Sequence, residues 1–397
     1  MSRFCLPRDI YHGKGCLEEL KNLKGKKAIL VVGGGSMKRQ GFLDRAVGYL
    51  KEAGMEVQLF EGVEPDPSVE TVMKGAEAMR AFEPDWIVSM GGGSPIDAAK
   101  AMWAFYEYPD TTFEELCTPF NFPELRQKAK FCAIPSTSGT ATEVTAFSVI
   151  TNYQTGVKYP LADFNITPDV AIVDPDLVAG LPVKQVAYTG MDALTHAIEA
   201  YIGRSTTKQT RAASIEAIQL IFDNLQTAYK NGNNKTARRN MLRASYLAGT
   251  AFTKSYVGYV HAVAHSLGGC YGIPHGLANS VLLPIVLEAY GTAAHKKLAR
   301  LARITGISDS KLDAVAAEEF INHIRSMNIS MNIPETLDGI RNEDIPKLAC
   351  YADKEANPLY PVPALWGPEK LEQMYHLVQE VSEHDRNRNS EHPGKAA

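Results

Sequence analysis

The chain has 397 residues with 45% hydrophobic content, enough for a large core and more than one domain usually holds. Its formal net charge is −4 and opposite charges are interspersed, which excludes the basic face that nucleic acids or acidic membranes require. No apolar run approaches the roughly 18–20 residues of a membrane span, and the first residues lack the apolar core of a secretory signal. The six cysteines form no C-x-x-C pair, so we expect reduced thiols and a cytoplasmic protein.

The first half of the chain alternates short apolar runs with helical patterns. Strands are predicted at 26–32, 55–62, 85–90, 130–135, 146–151 and 169–174, with helices at 36–54, 70–82 and 94–108 between them. Because most of these strands are apolar along their whole length, they indicate a parallel sheet covered on both faces. We therefore predict an α/β domain over residues 1–183. The early segment 8–13 is a further strand, which could pair across subunits.

The second half changes in character. Helical spacing is found at 191–203, 210–232, 237–252, 257–269, 276–291 and 295–306, with few strand signals. Gly268 and Gly269 are expected to end the helix that precedes them. We therefore predict an all-helical domain over residues 184–397, with a frayed polar tail from about residue 386.

The string GGGS occurs twice, at 33–36 and 91–94, each time between a strand and a helix. Glycine allows close backbone approach, and a helix start offers free N–H groups and a positive dipole end. The second copy therefore suits a pyrophosphate resting on Gly92, Gly93 and Ser94. A tight strand-to-helix turn without any ligand is the alternative for either copy, and neither matches the common GxGxxG fingerprint.

The first copy bears on the choice of cofactor. An acidic residue near such a strand end often binds the adenosine ribose 2′-hydroxyl, but this turn offers Gly34, Gly35, Ser36, Lys38 and Arg39 instead. Small and cationic residues accommodate a 2′-phosphate, which a carboxylate would repel. The turn therefore favours NADP(H) over NAD(H). The two cations could equally be solvated helix residues.

Histidines and one aspartate form a metal-like pattern in the second half. His261 and His265 are spaced i, i+4 on one predicted helix, and Asp192 and His196 have the same spacing on another. His275 falls at the start of the next helix. One carboxylate and three imidazoles suit Zn²⁺ or Fe²⁺, whereas oxygen ligands alone would suit Mg²⁺ or Ca²⁺. The alternative is histidine packing without a metal.

Four motifs in order resemble those of the iron-containing (group III) alcohol dehydrogenases, especially the bacterial members that act on alkyl alcohols and aldehydes with NADPH. They are GGGSPIDAAK, IPSTSGTATEVT, GMDALTHAIEAY and HAVAHSLGGCYGIPHGLANS, and the resemblance extends over nearly the whole chain. It implies a doubly wound N-terminal dinucleotide-binding domain and an all-α C-terminal metal-binding domain. The active site would then lie in the cleft between them.

The resemblance also implies roles for individual residues. One divalent ion, Fe²⁺ or Zn²⁺, would be held by Asp192, His196, His261 and His275. His265 would lie beside the nicotinamide. Because histidine can titrate near neutral pH, we expect it to pass a proton to the product alkoxide, a role that the cofactor's ribose hydroxyl could share. The implied cofactor contacts are Gly92, Gly93, Ser94, Asp97, Ser136, Thr137, Thr140 and, at the ribose, Lys158. NAD-using members tend to have Asp where this chain has Gly34.

The predicted reaction is the reversible reduction of an aldehyde such as butanal by NADPH, in a homodimer or larger homo-oligomer. A polyol dehydrogenase of the glycerol or propanediol type is the nearer alternative. A dehydroquinate-synthase-like lyase would need cations for a phosphorylated substrate, and segments 188–202 and 256–280 contain neither Lys nor Arg. A binding protein that has kept the fold without turnover is a further alternative.

Overall fold

The computed structural model describes residues 4–379, so the tail predicted from about residue 386 lies outside the described part. All its strands lie in the first half. They are β1 (Asp9–His12), β2 (Lys27–Val32), β3 (Glu56–Phe60), β4 (Trp86–Gly91), β5 (Lys130–Pro135), β6 (Phe147–Asn152), β7 (Val157–Ala162) and β8 (Val170–Val173). Six of them form one parallel sheet in the order β1-β8-β5-β4-β2-β3, which is the predicted α/β architecture.

The helices of this half cover both faces of the sheet. They are α1 (Ser36–Arg39), α2 (Phe42–Glu52), α3 (Val69–Phe82), α4 (Gly93–Glu107) and α5 (Phe113–Cys117). Alternate residues of β2 explain the two layers, because Ile29 packs into the core beneath α3 and α4 whereas Leu30 packs into the core beneath α2. The single helix predicted over 36–54 is wrong, since Gly41 adopts a left-handed φ of 76° and divides it into α1 and α2.

Two predicted strands pair differently from expectation. The 146–151 strand does not join the parallel sheet: β6 forms an antiparallel hairpin with β7, which the sequence did not predict, through a turn containing Gly156 at φ 69°. The first strand, β1, lies at one edge of the main sheet and pairs in parallel with β8 of the same chain. Pairing of its other edge with a second subunit stays a prediction.

The second half is helical. Its helices are α6 (Val183–Ile202), α7 (Lys208–Lys230), α8 (Lys235–Ser255), α9 (Tyr259–Tyr271), α10 (His275–Tyr290), α11 (Thr292–Ile304), α12 (Asp313–Ser330), α13 (Ile345–Ala356) and α14 (Pro368–Val378). They share one apolar core, in which α6 and α9 lie centrally and are buried on nearly every side. The last strand ends at Val173 and α6 begins at Val183; the domain boundary at 183/184 stays a prediction.

The expected end of α9 at Gly268 and Gly269 is wrong. The helix continues to Tyr271 and ends at Gly272, which has a left-handed φ of 67°. The two earlier glycines serve packing instead. A Cβ at Gly269 would lie 2.6 Å from the carbonyl oxygen of Gly156, so the β6–β7 hairpin contacts the bare backbone of α9.

Among the described residues, no single helix is long and apolar enough to cross a membrane. The helices α10 and α11 pass that test only when taken together, and they are bent by 117° at their junction.

Candidate metal and cofactor site

A cleft with a volume of about 390 Å³ separates the start of α4 and the β6–β7 hairpin from α6, α9 and α10. It contains residues from both halves of the chain. The predicted metal ligands and His265 line it. The predicted cofactor residues that line it are Gly92, Gly93, Ser94, Asp97, Thr137, Thr140 and Lys158. Motifs that are distant in sequence are therefore neighbours in one cleft.

Four side chains converge at the helical side of this cleft. Asp192 and His196 extend from α6, His261 from α9 and His275 from the first residue of α10. Each offers one ligand atom, and the four atoms lie within 4.8 Å of one another. Asp192 Oδ1 is 3.4 Å from Nε2 of His275 and 3.9 Å from Nε2 of His261. The spacing suits atoms that surround one ion rather than atoms that bond to each other.

The protonation states of the cluster also fit a cation. Burial opposes ionisation of Asp192, but the surrounding histidines hold its pKa well below the usual range. Burial lowers the pKa of His196 to about 3 and lowers that of His275 as well. The buried Nδ1 of His196 has no hydrogen-bond partner within residues 4–379. Burial opposes a charge on His261 as well, but its bond with Glu199 outweighs burial and raises the pKa of this ring. An anionic carboxylate with two neutral imidazoles, and a third that releases its proton when a metal binds, is a donor set that suits Zn²⁺ or Fe²⁺.

The second glycine-rich turn lies across the cleft from this cluster. The helix α4 begins at Gly93, directly after β4, and a Cβ there would lie 2.9 Å from Cγ2 of Thr140. At Gly92 a Cβ would lie 3.2 Å from Cγ2 of Thr137. Glycine at both positions thus leaves room for the threonine loop to pack closely over the turn. The helix α4 has 15 residues, and its N-terminus presents free N–H groups and the positive end of the helix dipole, which together bind phosphate groups.

The family models match both halves of the chain. The model for iron-containing alcohol dehydrogenase matches residues 7–175, and that for the C-terminal part of the Fe-containing alcohol dehydrogenase family matches residues 186–377. The chain belongs to the iron-containing alcohol dehydrogenase family. The predicted family and fold class are confirmed.

Relatives within this family give a finer comparison. The chain is 57% identical over 337 residues to the NADPH-dependent butanol dehydrogenase of Clostridium saccharobutylicum, covering 85% of this chain and 86% of that one. It is 41% identical over 349 residues to the 1,3-propanediol dehydrogenase of Klebsiella pneumoniae, covering 86% and 88%. The crystal structure of a 1,3-propanediol oxidoreductase superposes with a TM-score of 0.88 at 36% identity, covering 95% and 99% of the two chains.

In this alcohol dehydrogenase family member, some predicted cofactor residues lie outside the cleft lining. Gly34, Gly35 and Ser36 are exposed on the turn after β2, which is adjacent to β4 in the sheet. Their turn therefore lies at the same carboxyl edge as the second glycine turn. Ser136 is buried, and its backbone N–H donates to the carbonyl oxygen of Gly91 at 2.7 Å.

Two other predicted contacts already have partners in the protein. Asp97 accepts from the Thr142 hydroxyl at 2.5 Å and from the backbone N–H of Val149 at 3.1 Å, so it fastens the β6–β7 hairpin to α4. Lys158 donates to Oδ1 of Asp66 at 2.6 Å across the mouth of the cleft. Direct contact of either side chain with a cofactor stays a prediction.

His265 is near the metal cluster without belonging to it. Its ring centroid is 5.1 Å from that of His275, and its Nδ1 is 2.7 Å from Oε1 of Glu355. The same carboxylate oxygen accepts from the Tyr360 hydroxyl at 2.7 Å. Because Nδ1 is engaged, Nε2 is the ring atom left to exchange a proton with a bound molecule.

Sequence reasoning missed three polar residues around the cluster, of which Glu199 and Asn279 are buried and Glu355 is partly buried. Glu199 lies 2.6 Å from Nδ1 of His261, and Glu355 bonds His265 from α13. Asn279 donates from Nδ2 to Oδ1 of Asp192 at 2.7 Å. The sequence could have indicated Glu199, since it lies seven residues after Asp192 and therefore on the same face of α6. No sequence pattern indicated Glu355, because it is 90 residues from its partner His265.

Proposed function

We propose that this protein is a metal-dependent alcohol dehydrogenase that transfers hydride between NADP(H) and a primary alcohol or aldehyde such as butanol or butanal. One observation carries the proposal: the four ligand atoms of Asp192, His196, His261 and His275 face the same cleft as the start of α4. An electrophilic ion and a dinucleotide would therefore meet there. When bound, the ion supplies Lewis-acid polarisation of a carbonyl oxygen and the nicotinamide supplies the hydride.

The chain's own residues supply positioning and proton transfer. The N–H groups at the start of α4 and the hydroxyls of Thr137 and Thr140 would hold the pyrophosphate. His265 would deliver a proton from Nε2 to the product oxygen, since Glu355 engages its Nδ1.

The substrate side of the cleft supports an alkyl chain. It is lined by Phe147, Phe252, Tyr256 and Val257, and Phe252 stacks on the His196 ring with centroids 4.2 Å apart. Tyr256 enters the cleft from a left-handed backbone, with φ at 60°, immediately after α8. A short apolar aldehyde would bury its chain against these rings.

NADP(H) is supported by the turn after β2. Gly34 leaves space where a carboxylate would repel a 2′-phosphate, and Lys38 and Arg39 follow within one helical turn. Lys38 also approaches Glu61, with Nζ 3.4 Å from Oε1, so its charge is shared rather than free. Arg39 makes no ion pair within the described residues.

The test is metal analysis combined with turnover of NADPH in the presence of butanal. His261→Ala should lose both metal and activity, whereas His265→Ala should keep the metal and turn over slowly. Equal metal loss in both variants would show that the ligand assignment is wrong. Comparison of butanal with 3-hydroxypropanal tests the propanediol alternative, which the 41% identity to a 1,3-propanediol dehydrogenase supports.

We also propose a cytoplasmic homo-oligomer. All six cysteines lie within residues 4–379 and are free thiols, which agrees with a reducing compartment. The unpaired edge of β1 would provide a surface for a second copy. Light scattering of the purified protein measures the assembly, and a monomer would contradict this part of the proposal.

A further inference from the structure

Two histidines on α9 are each bonded to a carboxylate, which is buried for Glu199 and partly buried for Glu355. His261 and His265 stand one helical turn apart, and both engage Nδ1: the first with Glu199 at 2.6 Å, the second with Glu355 at 2.7 Å. Only His261 belongs to the four-residue metal cluster. The two pairs have the same chemistry but different relations to the ion.

The other partners of Glu199 decide which ring atom of His261 carries hydrogen. Its Oε2 accepts from the backbone N–H of Gly258 at 2.8 Å, and its Oε1 accepts from that of Val260 at 2.9 Å. Both carboxylate oxygens are therefore engaged as acceptors. The 2.6 Å contact with His261 then requires Nδ1 to donate, which leaves the lone pair on Nε2.

That lone pair faces the metal cluster. Nε2 of His261 is 3.9 Å from Oδ1 of Asp192, whereas Nδ1 points back to Glu199. The carboxylate is 1% exposed at its side chain, so water does not compete for the bond. Asp192, His196 and Glu199 occupy positions i, i+4 and i+7 of α6. This one helix thus provides two ligands and the group that orients a third.

We propose that Glu199 is a positioning residue, which fixes the tautomer and ring orientation of His261 and thereby sets the affinity of the site for its divalent ion. This inference rests on the ligand assignment made in the proposed function. Outer carboxylates that orient a ligating histidine typically contribute about 10- to 100-fold in metal affinity. Loss of the Glu199 carboxylate should weaken binding by that factor.

The experiment compares Glu199→Gln with the matched variant Glu355→Gln, using Co²⁺ as the probe. The dissociation constant is measured by competition with a chelating indicator, and the visible absorption of bound Co²⁺ reports ligand geometry. For Glu199→Gln we expect a dissociation constant about 10- to 100-fold above wild type and an altered Co²⁺ spectrum. For Glu355→Gln we expect wild-type values of both.

Glu199 also anchors the start of α9, so its loss has a structural effect that must be separated. The thermal midpoint is therefore measured with EDTA and with saturating Co²⁺, because a purely structural role lowers both midpoints equally and leaves their difference unchanged. If Glu199→Gln does not fold, the tautomer of His261 is determined from long-range ¹H–¹⁵N spectra of the wild-type histidines. Because the bond with Glu199 raises the pKa of His261, the spectra are recorded at alkaline pH, where the ring is neutral. A neutral His261 ring protonated on Nε2 would overturn the inference, and one protonated on Nδ1 would support it.

The possible outcomes separate a failure of this inference from a failure of the proposed function on which it rests. A wild-type protein that binds no Co²⁺ contradicts the proposed function itself. Co²⁺ affinity within about twofold of wild type in Glu199→Gln overturns the role of Glu199 alone, since 10-fold or more is expected. Weakened binding in Glu355→Gln but not in Glu199→Gln would overturn it too, because the ligand on α9 would then be His265.

Discussion

Glu143 should make the protein lose stability as the pH rises. Its side chain is buried beside Lys100, neither carboxylate oxygen has a hydrogen-bond partner among the described residues, and burial raises its pKa from 4.5 to about 7. The folded state then holds a proton that the unfolded state has lost. The contribution of protonated Glu143 to the stability of the fold is full below pH 4.5 and disappears as the pH rises through about 7. The pKa difference corresponds to about 3 kcal/mol.

Glu143→Gln removes this titration, so between pH 5 and 8 the wild type should lose about 2–3 kcal/mol more unfolding free energy than the variant. The measurement is denaturant unfolding of metal-free protein followed by tryptophan fluorescence, to which Trp86 and Trp103 contribute from the same half of the chain. Glu77→Gln, at an exposed position of α3, is the control and should follow the wild type. Parallel pH profiles for wild type and Glu143→Gln would refute the reasoning.

Three further predictions concern glycines. Gly34→Asp should fold normally, since no atom lies within 4 Å of the added Cβ. Its carboxylate should lower the ratio of kcat/KM for NADPH to kcat/KM for NADH by at least about tenfold. An unchanged ratio would show that the 2′-phosphate binds elsewhere. Gly269→Ala should destabilise the protein by about 1–3 kcal/mol, because its Cβ would meet the Gly156 carbonyl at 2.6 Å. Gly48→Ala, in open space within α2, should instead stabilise by about 0.5–1 kcal/mol in the same denaturant titration.

The sequence predicted the fold class because the central strands of the main sheet, β2, β4, β5 and β8, are buried on both faces. β4 is buried at all six positions, so its apolar run needed no knowledge of its neighbours. The hairpin was missed for the opposite reason. β6 and β7 mix buried and half-exposed residues, and their pairing depends on a turn at Gly156 rather than on an apolar run. Local periodicity also could not show that Gly41 leaves helical geometry.

In the site, sequence spacing identified the side chains that share one face of a single helix. Asp192 and His196 share a face of α6 because they stand four residues apart, and the same rule applied to α9. That rule could not separate His261 from His265, since both lie on one face and both bond a carboxylate. The distinction is a property of packing, because the ligand atoms of Asp192, His196 and His275 lie within 4.8 Å of one on His261, whereas His265 is not part of that group. Asp97 shows the converse, as its oxygens are already used by Thr142 and Val149.

The two errors about the hairpin and about α9 have one structural cause. Gly268 and Gly269 looked like a helix end, yet a Cβ at Gly268 would lie 2.8 Å from Nζ of Lys158, and one at Gly269 would meet the hairpin backbone. The hairpin therefore rests directly on the helix that carries His261, while Asp97 fastens its other side to α4. The hairpin thus contacts both the helix that begins at the phosphate-binding turn and the helix that carries His261. A helix that ended at Gly268 would not present the Gly269 backbone that the hairpin contacts.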